Sequence, residues 1–182
     1  RTLRGKHCVQ GLVTLTDATE ATGGFCCIPR SHRYHDELLD DHADKSCNDN
    51  YLKIPTDFHG LQDEQVLPRC SAGDMILWDS RTIHCSTPAL VRPAAPPDQL
   101  LRMASYICMV PAALATTETL ETRMDMFLCN VTGTHWPHLL NFKRKERDEV
   151  KNDVSSLSGT GLALLTGRQQ QEKQEQAVDS II

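Results

Sequence analysis

Apolar positions along the first part of the chain come in short runs, each broken by turn residues. Cys8-Val9-Gln10-Gly11-Leu12-Val13-Thr14-Leu15 is rich in strand formers and predicts a strand. Residues 16–24 follow with Asp, Thr and a Gly-Gly pair, a turn signal. Phe25-Cys26-Cys27-Ile28 predicts a second strand, closed by Pro29. Val66-Leu67-Pro68 reads as a short strand, and Met75-Ile76-Leu77-Trp78 as a longer one launched from the turn Ala72-Gly73-Asp74. Residues 81–87 predict the next strand, stopped by Pro88. Residues 100–110 predict the longest, stopped by Pro111. Short strands separated by turns favour a sandwich, barrel or jelly roll.

The intervening segments are polar. Residues 30–50 carry Arg30, His32, Arg33, His35, Asp36, Glu37, Asp40, Asp41, His42, Asp44 and Lys45, with a short exposed helix over 36–44 and a loop over 46–50. Residues 51–65 read as a helix or an irregular insertion. Four prolines between 88 and 99 (Pro88, Pro93, Pro96, Pro97) predict a loop without regular structure. The character then changes. Leu120, Met124 and Phe127 have helical spacing within 116–128. Residues 143–152 are a charge run, and 168–179 a Gln- and Glu-rich stretch read as a frayed helix or tail. The expected organisation is a mainly β domain with flanking helices over 1–142 and a charged extension over 143–182.

Composition narrows the function. The 182 residues carry a net charge of −5. Lys143-Arg144-Lys145 is flanked by Glu146, Asp148 and Glu149, so the chain shows no nucleic-acid patch. No apolar run approaches the roughly 20 residues that span a bilayer. The 8 cysteines include no C-x-x-C, and Cys26, Cys27 and Cys108 lie inside apolar runs. They read as reduced thiols in a cytoplasmic compartment rather than as bridges or a structural zinc site. Asn130-Val131-Thr132 matches a glycosylation triplet, a short pattern that recurs by chance. Residue 1 is Arg, and a fragment of a longer chain is the expectation.

The segment Gly73-Asp74-Met75-Ile76-Leu77-Trp78-Asp79-Ser80-Arg81-Thr82-Ile83-His84-Cys85-Ser86 carries the chemistry. On a strand, His84 and Ser86 share one face, and so do Arg102, Ala104 and Tyr106 on theirs. An arginine in an apolar strand is costly unless paired, and its fork suits a carboxylate. Spacing alone leaves two readings open: a site for a metal with an acidic co-substrate, or a structural His and Arg. Likewise Asp79 either orients a neighbour of His84 or caps a turn, and His32 reads as stabilising a turn or supporting a neighbouring ligand rather than as a ligand itself. Met75 and Trp78 read as core, and His135 and His138 as a packed corner.

Three passages resemble the phytanoyl-CoA dioxygenase family of iron(II)/2-oxoglutarate oxygenases. Gly11 and the residues through Asp17-Ala18-Thr19 and Gly23-Gly24, followed by Pro29-Arg30-Ser31-His32, are similar to its strand, "D-D-A-T…N-G" turn and "P-G-S-H" signature. Arg30 replaces the usual Gly. The stretch ending in His84-Cys85-Ser86 is similar to "G-D…W…H-x-S", and Leu101-Arg102 through Pro111 resembles the strand of the co-substrate arginine. The resemblance implies a double-stranded β-helix (jelly-roll, cupin-like) core, incomplete at its N-terminus. It implies His84 as an iron ligand, with Arg102 and Ser86 binding 2-oxoglutarate. Iron(II), 2-oxoglutarate and oxygen would be the cofactor set, and a small organic molecule the substrate, with no nucleic-acid or membrane partner. Arg92 is a rival to Arg102, but sits in the Pro-rich loop.

The family's His-x-Asp ligands belong upstream of Gly11, where His7 is followed by Cys8-Val9 and does not fit. His42-Ala43-Asp44 and His35-Asp36-Glu37 have similar letters but lie after the Pro29-Arg30-Ser31-His32 signature, in a polar stretch that reads as a solvated loop. Two alternatives stand beside the oxygenase. One is a non-catalytic binding or scaffold domain. The other is a cupin-type metalloprotein using His42, Asp44 and His84. Residues 30–65 and 88–99 are the expected substrate loops.

Overall fold

The computed structural model describes residues 8–42, 47–48, 51–92, 99–131, 133, 135–138 and 152–166. They fall into two units, Arg1–Met109 and Val110–Ile182. The first is mainly β, with antiparallel pairing throughout its described sheets.

Strand β1 (Val9–Thr14) is central in the first unit. Its alternation puts Gln10, Leu12 and Thr14 on one face, where they are 7 %, 1 % and 2 % exposed. Strands β5 (Met75–Asp79) and β7 (Ala104–Met109) flank it, giving the order β5-β1-β7. Trp78 and Cys108 stand opposite Gln10, and Ile76 and Tyr106 opposite Leu12. Burying the Gln10 amide requires a partner, and Trp78 Nε1 donates to its Oε1 at 2.9 Å. A second sheet pairs β2 (Gly24–Cys27) with β6 (His84–Thr87). Phe25 of β2 is buried and its ring lies 4.2 Å from that of Trp78, joining the two sheets.

The Asp17-Ala18-Thr19 passage works as a clamp. Thr22 Oγ1 accepts from Thr19 N at 2.9 Å and donates to Asp17 O at 3.0 Å. Asp17 Oδ1 accepts from Ala72 N at 2.8 Å, tying this turn to the one that launches β5. Gly23 closes the turn at φ +71°.

After β2 the chain turns at Arg30, with φ 65° and ψ 5°, into a short 3-10 turn (Ser31–Tyr34) and helix α1 (His35–His42). A side chain in the left-handed region is strained. This explains why the resembling signature has glycine there. Arg30→Gly should therefore raise stability by about 1 kcal/mol, read as a higher urea midpoint at unchanged slope. Leu38 and Leu39 of α1 and Phe58 complete the apolar packing.

Several elements differ from the sequence expectation. Residues 81–83 form a turn, so β6 starts only at His84. Asp79 captures Arg81 through two side-chain bonds of 3.0 and 2.8 Å, and Thr82 N donates to Asp79 O at 2.9 Å. Residues 47–52, expected as loop and insertion, include a small hairpin of β3 (Cys47–Asn48) and β4 (Tyr51–Leu52). Val66 makes one bridge to Cys27 in place of a strand. The strand predicted over 100–110 begins only at Ala104, leaving Arg102 before it.

In the second unit, α2 (Thr117–Leu128) matches its predicted span. Thr116 caps it by accepting from Thr119 N at 3.1 Å. It packs against α3 (Gly159–Thr166), where Arg123 Nη2 donates to Leu164 O at 2.8 Å. His138 is buried with its ring edge-on to Trp136, whereas His135, expected to share a packed corner with it, is exposed. The expectations for residues 93–98, 143–151 and 168–179 lie outside the described residues. Among the described residues, no helix is long and apolar enough to cross a membrane.

Candidate functional site

His84 opens β6. Its Nδ1 lies 2.7 Å from Thr82 O. A carbonyl oxygen only accepts, so Nδ1 carries the proton and the lone pair resides on Nε2. A backbone carbonyl fixing one ring nitrogen is how proteins orient a metal-binding imidazole. The Thr82 carbonyl is itself held by the Asp79–Arg81 turn. The Arg81 guanidinium holds the Asp79 carboxyl below the usual carboxylate range, with a smaller opposing effect of burial. Asp79 thus does what both sequence readings offered: it caps a turn, and the turn aims His84.

Ser31 is the residue that sequence reasoning left without a role. It is 0 % exposed, and its Oγ accepts from Ile83 N at 2.7 Å. Ile28 N donates to Ile83 O at 3.0 Å. The signature Pro29-Arg30-Ser31-His32 therefore pins the residue just before His84. Only the signature itself hinted at this, since nothing local marks Ser31 as buried.

On the face of β6 that carries His84 stand Ser86 and, across the strand pair, Phe25 and Cys27. The His84 ring lies 5.2 Å from Trp78 and 5.8 Å from Phe25. Ser86 Oγ and Tyr106 Oη are 3.1 Å apart. That contact links β6 to β7, where Tyr106 lies opposite Leu12. Leu15 N donates to Met103 O at 2.9 Å, carrying the ladder one step before β7. Continued alternation puts Arg102 on the Ala104 and Tyr106 side. Arg33, Arg69 and Arg81 are paired with Asp63, Glu20 and Asp79. Half-buried Arg102 makes no ion pair among the described residues. Arg92 is exposed in the loop after β6.

The donors around His84 do not make an iron site by themselves. Among the described residues, no three His, Cys, Asp or Glu side chains converge to hold a metal. Among the described residues, the neighbours on the His84 face are two aromatic rings, a thiol and a hydroxyl. His35 packs beside Asp36 at 3.5 Å, and burial pushes its imidazole below the ordinary value. Glu37 lies 3.5 Å from His59. His42 ends α1 and Asp44 follows, but the His42 side chain and Asp44 lie outside the described residues.

An open pocket of about 210 Å³ beside β2 and β6 is lined by Cys26, Cys85 and the apolar Ile28, Ile54, Leu61 and Ile83, and it also reaches Cys27, Gln65 and His84. Burial first, then Cys85 and Cys27 beside it, raises the Cys26 thiol above its ordinary value.

Residues 2–90 match the model of the phytanoyl-CoA dioxygenase (PhyH) family. The match bears out the family resemblance over residues 2–90. The PhyH match contains the Asp17-Ala18-Thr19 turn, the Ser31 signature, His84 and Ser86, and stops before Arg102. The chain is also similar to Ava biosynthesis cluster protein O of Aspergillus versicolor, at 28 % identity over 147 residues. That alignment covers 75 % of this chain and 46 % of the relative, so the chain spans about half the relative's length. A crystal structure of apo HygX from Streptomyces hygroscopicus aligns at TM-score 0.34 and 20 % identity, covering 56 % of this chain and 36 % of the other.

Proposed function

We propose that this chain is part of an iron(II)- and 2-oxoglutarate-dependent PhyH oxygenase that hydroxylates a small organic molecule in the cytoplasm, on a jelly-roll core. The observation that carries the reading is His84 within the matched stretch, its Nδ1 fixed by Thr82 O at 2.7 Å. In that reading His84 is one metal ligand. The remaining ligands come from outside the described residues. Bound iron would supply oxygen activation.

The rest of the site belongs to the co-substrate. Arg102 gives a charged fork for the far carboxylate of 2-oxoglutarate. Ser86, oriented by Tyr106, gives a hydroxyl beside it. Phe25 and Trp78 keep one side of the His84 ring dry. Residues 30–65 and 88–99 are the proposed substrate loops.

The alternative reading is a non-catalytic binding or scaffold domain. Anaerobic titration separates the two. Trp78, 5.2 Å from His84, serves as the fluorescent reporter, with Trp136→Phe removing the other tryptophan. The oxygenase reading expects 2-oxoglutarate binding that tightens with iron(II). Arg102→Ala should weaken it at least about tenfold, roughly 1.4 kcal/mol, and His84→Ala should remove the effect of iron. Binding of 2-oxoglutarate indifferent to iron supports the scaffold. If neither substitution changes binding, the site assignment is wrong.

A further inference from the structure

Cys26 and Cys85 stand directly opposite each other on β2 and β6. Both strand positions beside them help define the geometry. Ile28 N donates to Ile83 O at 3.0 Å, so that step is a hydrogen-bonded one. Cys27 turns its N–H and carbonyl the other way, to Val66, at 3.0 and 2.8 Å. Counting back along the ladder, Cys26 and Cys85 occupy the next hydrogen-bonded step. Opposed Cα atoms at such a step are about 5.5 Å apart, inside the range of about 4.4–6.8 Å that a disulfide takes. Both side chains point to the same face. Both line the pocket beside β2 and β6, and Cys85 is exposed.

The other cysteines whose side chains are described are worse placed. Cys27 is adjacent to Cys26 in a strand, so their side chains point to opposite faces. Cys8 interacts with Cys108 but is 2 % exposed, closed to a water-borne oxidant. Cys70 lies with Pro68 O at 3.7 Å and has no cysteine across from it. Cys129 belongs to the other unit.

We propose that Cys26 and Cys85 are a redox-active thiol pair that hydrogen peroxide converts into a reversible disulfide across β2 and β6. Cys85 Sγ attacks one peroxide oxygen, the O–O bond breaks, and water leaves with the thiol proton. The product is a sulfenic acid on Cys85. Cys26 Sγ then attacks that sulfur, the S–O bond breaks, and a second water carries off the Cys26 proton. Two thiols lose two electrons, and the peroxide gains them. The apolar lining (Ile28, Ile54, Leu61 and Ile83) shelters the sulfenic acid from further oxidation until Cys26 reaches it. The bridge ties β2 to the strand that holds His84 and Ser86 in place. Because Cys85 is exposed, the bridge is open to reduction.

The experiment uses the whole chain, fully reduced and then exposed to stoichiometric peroxide, alkylated, digested and mapped by mass spectrometry. The expected product is one peptide pair joined through Cys26 and Cys85, lost on dithiothreitol treatment. In denaturing urea the same treatment should scramble the pairing. Cys27→Ser should keep the link. Cys26→Ser should abolish it and leave Cys85 reactive towards dimedone, the sulfenic acid trap. Fragmentation of the wild-type linked peptide distinguishes Cys26 from Cys27 even if the variants fail to fold. A dominant Cys8–Cys108 link overturns the proposal. So does Cys85 passing to sulfinic acid in the wild-type chain with Cys26 still alkylated.

Discussion

Gly23→Ala should cost about 2–5 kcal/mol, enough to unfold a marginal domain. Two effects add. The residue sits at φ +71°, where any L side chain is strained. Its added Cβ would also lie 2.3 Å from Thr87 O and 2.6 Å from Pro88 C. These are backbone atoms, so no rotamer change relieves the contact. The strands themselves would have to part at the pair Gly24–Thr87, the end of β2 and β6. Gly73→Ala is the matched control. It carries φ +95° but meets nothing within 4 Å, so it bears only the backbone strain. Urea unfolding of both variants tests the difference. If Gly23→Ala loses no more than Gly73→Ala, the close approach of residues 23 and 87 is wrong.

Ser31→Ala should cost about 1–3 kcal/mol, because a buried backbone N–H loses its acceptor. The side chain is small, so little of this is lost packing. The donor left behind is Ile83 N–H, one residue before His84. Two readouts are expected together: a lower urea midpoint, and faster hydrogen exchange at the Ile83 amide. Loss of stability with Ile83 exchange unchanged would show that Ser31 acts elsewhere. Because Thr82 O orients the imidazole, the oxygenase reading proposed above expects the effect of iron(II) on 2-oxoglutarate binding to weaken as well.

Much of the β unit was legible as local pattern. The strand formers of residues 8–15 became β1, within a residue or two at each end. The Ala72-Gly73-Asp74 turn launches β5 as expected. The helices predicted over 36–44 and 116–128 correspond to α1 (His35–His42) and α2 (Thr117–Leu128), with residues 43–44 outside the described residues, since acidic runs and helical spacing are local signals. The family resemblance is borne out over residues 2–90. Residues 81–83 were misread because strand propensity ignores what one carboxylate does two residues away. Asp79 folds back on Arg81 and converts the predicted strand start into a turn. The same turn explains why His84 stands first on β6.

Arg102 shows a different gap. Its alternation with Ala104 and Tyr106 was readable, but the strand begins only at Ala104. The polar link on that face came from Tyr106, which meets Ser86 at 3.1 Å. Sequence grouped Tyr106 with Arg102 without a partner for either. Ser86 and Tyr106 stand on consecutive strands of different sheets, so their meeting follows from how the sheets pack, which no window of sequence contains.

By itself the sequence determined which segments extend, where they turn, and the turn and signature motifs that resemble the family. These are properties of neighbouring residues: period-two alternation, β-branched runs, and Gly or Pro at turns. The tertiary structure decided the order β5-β1-β7 and the pairing of β2 with β6. Those pairings bring Gln10 to Trp78, Ser31 to Ile83, and Cys26 to Cys85. Each contact joins residues far apart in the chain. It forms because burying one face of β1 and β2 forces every polar group there to find its partner within the fold.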